Sequence, residues 1–165
     1  MAGKNRYLRG NKMEIIVPVR GKTTIEAGDF CYFQHGDSYY TYPFSDHRAS
    51  GGSYAQDLYD YFAGIAMETS PAGTTENITV ATAGVFRYPL LFDSAVTVGA
   101  VVSACTRPAG SGATNQVVTN NNDNAGSGTS VYLGIIVKTN TSATSFVDFQ
   151  LRAKAGLSAV AAGDL

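Results

Sequence analysis

One short pattern occurs twice in this chain, about seventy residues apart, and that repetition limits what the chain can fold into more than any other feature. Ile25-Glu26-Ala27-Gly28-Asp29-Phe30-Cys31-Tyr32 is answered by Val96-Thr97-Val98-Gly99-Ala100-Val101-Val102-Ser103. Each copy has a β-branched residue, two further positions, a glycine and then an apolar alternation. Gly64-Ile65-Ala66-Met67-Glu68-Thr69 is likewise answered by Gly134-Ile135-Ile136-Val137-Lys138-Thr139. The glycines lie 71 positions apart in the first pair and 70 in the second. A polar turn and a strand-like run follow each copy, Asn77–Ala81 in one and Phe146–Leu151 in the other. Two ordered matches at one offset predict a duplicated β-unit of strand, long excursion, strand, short turn and strand. Such a frame suits a scaffold better than a catalyst.

Composition agrees with a strand-rich reading. Hydrophobic residues make up 44% of the 165, enough for a core, and 18 glycines supply turns. Period-two alternation dominates over helical periodicity, which predicts an all-β fold: a small barrel or sandwich of two related β-units with long loops and an extended N-terminal arm. The expected organisation is an arm over 1–20, a duplicated β-domain over 21–153 (units about 22–90 and 93–153), and a tail over 154–165. Strands are expected at Met13–Val19, with Pro18 marking an edge or end, and at Phe30–Gln34, Phe62–Glu68, Asn77–Thr82, Gly84–Tyr88 and Ala100–Cys105. A closing hairpin pairs Val131–Lys138 with Phe146–Arg152. Residues 55–61 could form a turn or two of helix, and the alanine-rich tail is too short to hold one alone. No apolar run approaches the length of a membrane helix, and the N-terminus lacks the apolar core of a secretory leader.

Charge is unevenly placed. Residues 1–22 carry six basic side chains against Glu14 alone, whereas the rest of the chain is net acidic. This is either a solvated, frayed terminus or a basic arm crossing an acidic surface, Lys4, Arg6, Arg9 and Lys12 being its cations and Tyr7 its ring. A protein partner fits better than nucleic acid, because the acidic body would repel phosphate. The two excursions fall at matching places but differ in kind. The first is aromatic, with Tyr39, Tyr40, Tyr42, Phe44, Tyr54, Tyr59 and Tyr61. The second, 107–129, is rich in Gly, Asn, Ser and Thr. Tyrosines in such a cluster either cap one end of the barrel or make an interface, where large area and few rotors favour binding.

Chemistry is sparse. His35 and His47 with Asp37 and Asp46 lack metal-ligand spacing. No Gly-x-Ser-x-Gly elbow, phosphate loop or acid–base–nucleophile constellation emerges. The expectation is therefore no enzyme, no metal and no cofactor. Cys31 and Cys105 have no redox or metal spacing; free buried thiols are expected, with a disulfide as the alternative.

Phe62–Met67, Ile78–Leu90, Val96–Val102 and Tyr132–Val137 together resemble the capsid decoration proteins of phage heads, also called cement or head-stabilising proteins. In that family a G-[IV]-A strand, a V-x-T-x-G-V-F strand and an [IV]-T-x-G-x-x-V strand follow in this order. The likeness runs over about residues 22–153; the basic arm and the tyrosine-rich excursion fall outside the family pattern. It implies a non-enzymatic virion protein, often a homotrimer, assembled in the host cytoplasm. Such a protein binds the major capsid protein on the capsid exterior and stabilises the head, without direct contact to nucleic acid or membrane. The alternative is another virion β-module, a head-fibre base or adhesin, binding host glycans through the tyrosine-rich loop.

Overall fold

The computed structural model of the protein describes residues 6–20, 23–34, 37–46, 61–72, 76–106, 113–120 and 131–153. Nine strands run through them: β1 (Arg6–Pro18), β2 (Phe30–Gln34), β3 (Asp37–Pro43), β4 (Phe62–Ala66), β5 (Asn77–Val96), β6 (Val101–Thr106), β7 (Ala113–Asn120), β8 (Val131–Ile136) and β9 (Asn140–Arg152). One 3₁₀ turn, Phe44–Asp46, follows β3. The all-β expectation holds. Both excursions contribute a strand, β3 and β7, which their polar composition concealed.

The strands β5-β7-β6-β8-β9 close on themselves as a five-stranded barrel, with β5 pairing β9 antiparallel and β7 parallel at Leu90↔Val118. The first unit repeats this ring. β1 pairs β5, β5 pairs β4, β4 pairs β2 and β2 pairs β3. A parallel bridge, Val19↔Thr41, brings β3 back to β1. Registers correspond as well as neighbours. Val17↔Ile78 in the first ring answers Tyr88↔Val147 in the second, and Cys31↔Gly64 answers Val102↔Gly134.

The sequence repeat is therefore a repeat of hydrogen bonds. Gly28 N–H donates to Ala66 O at 2.8 Å, and Gly99 N–H to Ile136 O at 2.9 Å. Both glycines have positive φ, 97° and 87°, where a Cβ would be strained, so each turn keeps its glycine. Thr69 Oγ1 accepts from Ala27 N–H, and Thr139 Oγ1 from Val98 N–H.

β5 belongs to both rings. Val80 and Ala81 pair with β1 on one edge and β4 on the other; from Ala83 onward β9 replaces β4. One twenty-residue strand thus ends the first unit and begins the second.

The interiors match position by position. Val17, Val19, Ile25, Cys31, Ala63, Ala66, Ile78 and Val80 fill the first barrel. At the equivalent places the second holds Tyr88, Leu90, Val96, Val102, Leu133, Ile136, Val147 and Phe149. The first barrel's smaller interior is accompanied by an aromatic layer on its outer face. Phe44 packs against Phe30, Tyr32 and Phe62 at centroid distances of 5.8, 6.2 and 5.6 Å. Phe30 in turn stacks on Tyr88 of the second barrel at 4.9 Å. This layer is the seam between the barrels.

Polar groups pin the same seam. Tyr88 O–H donates to Gly28 O at 2.5 Å, and Gln116 Nε2 on β7 donates to Asp29 Oδ1 at 2.7 Å. The other Asp29 oxygen accepts from Glu26 N–H.

Candidate interaction surface

The described part of the N-terminal segment is a strand in the wall of the first barrel. Arg6–Pro18 lie along β5, with Tyr7 opposite Phe86 and Val17 opposite Ile78. Pairing is regular from Glu14 to Pro18. Between Arg9 and Met13 the register slips, because four steps along β1 match two along β5. Gly10, Asn11 and Lys12 span the place of Gly84 alone, so β1 carries two residues in excess there and bulges. Tyr7 holds this bulge from both sides: its ring meets Phe86 edge-on at 5.6 Å, and its hydroxyl donates to Gly10 O at 2.5 Å. Lys12 Nζ sits 5.6 Å from the Tyr7 ring centroid and 2.5 Å from Glu14. Arg9 and Lys12 are exposed.

Next to the bulge, β5 and β9 present an outward pair. Arg6 is the register partner of Arg87, and Arg87 of Asp148. Arg87 Nε and Nη2 donate to the two Asp148 oxygens at 2.6 and 2.9 Å, a bidentate pair that raises the guanidinium pKa further. The pair lines an open polar groove of about 540 Å³ together with Phe146 and the Lys138–Thr144 hairpin. At the equivalent position in the first barrel stands Ile16 opposite Thr79, and Ile16 is 74% exposed. Met13, at the edge of the bulge, is 53% exposed.

The residues expected to make contacts therefore divide. Tyr7, Arg9 and Lys12 share the β1 surface. Tyr42 and Phe44 do not: both are buried in the seam, and Tyr42 accepts a hydrogen bond from Arg20. Tyr42 on β3 and Phe44 in the 3₁₀ turn after it pack into the aromatic layer with Tyr32, Phe30 and Phe62. Tyr40 is half-buried against that core. Arg6 and Tyr39 lie on β1 and β3. Lys4, Tyr54 and Tyr59 lie outside the described residues, as do residues 55–60 of the segment that could form a helical turn and the 154–165 tail.

Sequence reasoning missed Ile16 and the Arg87–Asp148 pair. In Glu14-Ile15-Ile16-Val17 two adjacent isoleucines erase the alternation that would have marked one as outward. Arg87 and Asp148 are 61 residues apart and meet only through register.

Among the described residues no three His, Cys, Asp or Glu side chains converge as a metal site. Cys31 is a free, fully buried thiol, and burial, reinforced by the Asp29 charge, pushes its pKa far up. Asp29 is also buried; loss of hydration raises its pKa against the lowering effect of the Glu26 and Gln116 hydrogen bonds. Among the described residues no helix is long and apolar enough to cross a membrane. No protein-family model matches the chain, and no curated protein matches it.

Proposed function

We propose that this chain is a structural virion protein of the capsid decoration class, which binds the outside of a phage head and stabilises it without catalysis. The observation that carries the reading is the register-level duplication: two closed barrels fused through β5, with an aromatic seam between them. A body of that kind offers a stiff platform to a symmetric surface, where modest contacts are multiplied by copy number. The bulged β1 segment, with Arg9, Lys12, Met13 and Ile16 outward, supplies cationic and apolar contact groups on one strand. The sequence resemblance to decoration proteins points the same way.

Under the glycan-binding alternative, the binding rings would be tyrosines of the excursion other than Tyr42. Tyr42 and Phe44 are spent on packing and have no face to offer a sugar ring.

The test is co-sedimentation of purified protein with empty heads assembled from the major capsid protein of the phage that encodes the chain. Saturable binding at a fixed ratio to capsid subunits is the expected result. Heads that remain undecorated at tens of micromolar protein would overturn the reading. Light scattering of the free protein then distinguishes a preformed trimer of the 17.4 kDa chain from assembly on the shell.

A further inference from the structure

The two barrels differ in one respect that their common register makes visible: before the bridge that closes each ring, the outer edge of the first strand is covered in the second barrel, whereas in the first, at Glu14–Ile16, no strand among the described residues covers it. In an antiparallel pair, alternate residues turn their N–H and C=O toward the partner and away from it. Val19 N–H donates to Glu76 O, so Val19, Val17 and Ile15 direct their backbone groups to β5. Glu14 and Ile16 therefore direct theirs the other way. Thr79, opposite Ile16, agrees: its carbonyl accepts from Met67 N–H, on the edge of β5 away from β1.

Val85 and Arg87 are the equivalents of Glu14 and Ile16 in the second barrel. That edge of β5 is occupied, because β1 runs antiparallel along it with Arg9 opposite Val85 and Arg6 opposite Arg87. Among the described residues no strand does this for β1, whose edge carries exposed Glu14 and Ile16. The chain thus contains, within itself, a picture of what this edge accepts: an antiparallel extended segment.

We infer that the outer edge of β1 at Glu14–Ile16 is a strand-addition site for an extended, acidic and apolar segment of a partner protein; under the proposed function, which this inference rests on, that partner is the capsid protein. Main-chain hydrogen bonds would give affinity, Met13 and Ile16 the apolar contacts, and Arg9 the charge preference, Lys12 being held by Glu14. A second copy of β1 is the poorer occupant, since antiparallel pairing through Glu14–Ile16 would set the 10–12 bulge of each copy against the Pro18–Arg20 end of the other, where β3 already bridges Val19. The bulge and Lys12 fit the same picture: they discourage self-pairing of an exposed edge while leaving Glu14–Ile16 regular.

The experiment is amide hydrogen exchange of the full chain, free and bound to the heads described above, with binding measured in parallel for Ile16→Pro and Ile16→Lys. The Ile16 N–H faces outward, so proline there removes the intermolecular donor and spares the β1–β5 ladder; the lysine variant keeps the backbone and guards against a folding defect. Val98→Lys, on an exposed turn far along the chain, serves as control. The expected result is at least tenfold slower exchange at Glu14 and Ile16 on heads, little change at Ile15 and Val17, and at least tenfold weaker binding of both Ile16 variants. Binding with unchanged exchange at Glu14 and Ile16 overturns the strand-addition site and leaves the decoration reading standing. Exchange that slows with concentration in the free protein assigns the edge to a second copy and overturns the inference as stated. Failure of the wild-type chain to bind heads removes the proposed function and this inference with it.

Discussion

Gly64 and Gly134 stand at the same place in the two barrels, each facing a carbonyl of the neighbouring strand. A Cβ on Gly64 would fall far inside contact distance of Ala81 O, and one on Gly134 would do the same to Gln150 O. Each glycine also pairs across its ring, with Cys31 and Val102 respectively. Gly64→Ala and Gly134→Ala are each expected to cost about 3 kcal/mol or more, because a backbone atom rather than a flexible side chain must yield. Gly64→Ala should be the worse, since Gly64 also has φ +139°. Urea denaturation midpoints of the two variants check this.

Asp29 makes the stability of the seam depend on pH. Burial raises its folded pKa above the ordinary carboxyl value, so the folded state holds the proton more tightly than the unfolded chain does. Its contribution is present in full below the unfolded pKa and is lost as pH rises through the folded one, at about 1.4 kcal/mol per unit separating the two. Asp29→Asn abolishes that dependence. The stability of wild type relative to Asp29→Asn is therefore expected to fall as pH rises from about 4 toward neutrality. Denaturation of both proteins across that range reads the sign directly.

Cys31 should be chemically silent in the folded protein. Its thiol is fully buried, donates weakly to Asp29 O at 3.6 Å, and has its pKa raised by burial. In a Cys105→Ser background, Ellman's reagent at pH 8 is expected to react at the rate of global unfolding. Fast labelling of the native protein would contradict this burial. Cys31→Val, which installs the residue found at the matching place in the second barrel, should cost under about 1.5 kcal/mol.

The Arg87–Asp148 pair can be replaced by its own counterpart. Asp148→Thr alone leaves a half-exposed guanidinium beside a lost bidentate partner, and about 1 kcal/mol of destabilisation is expected. Combining it with Arg87→Ile recreates the Ile16–Thr79 arrangement, and much of the loss should return. A double-mutant cycle at low and high salt isolates the coupling and should find it weaker at high salt.

The glycine spacing alone exposed the duplication, because a turn needing positive φ at Gly28 and Gly99, and a close approach at Gly64 and Gly134, tolerate no other residue. The closing hairpin of β8 and β9 was equally readable from its alternation. β5 was not. Gly84 and Pro89 look like strand breaks, yet the first sits beneath the Tyr7 ring and the second is a half-buried member of a continuous ladder with β9. Tyr42 and Phe44 misled for a related reason. Aromatic content signals burial of area, and sequence alone does not distinguish a partner's surface from a neighbouring barrel. β7, spelled Ala-Thr-Asn-Gln-Val-Val-Thr-Asn, is a strand through its pairing with β6 more than through its own composition.

Because β5 serves both rings, neither half of this chain can be cut out with its full complement of walls. A fragment ending after the first unit takes the second barrel's founding strand with it; a fragment beginning at the second unit leaves the first barrel without its last stave. Heating should then melt the protein in one step, with calorimetric and van't Hoff enthalpies in agreement, although its sequence spells out the same unit twice.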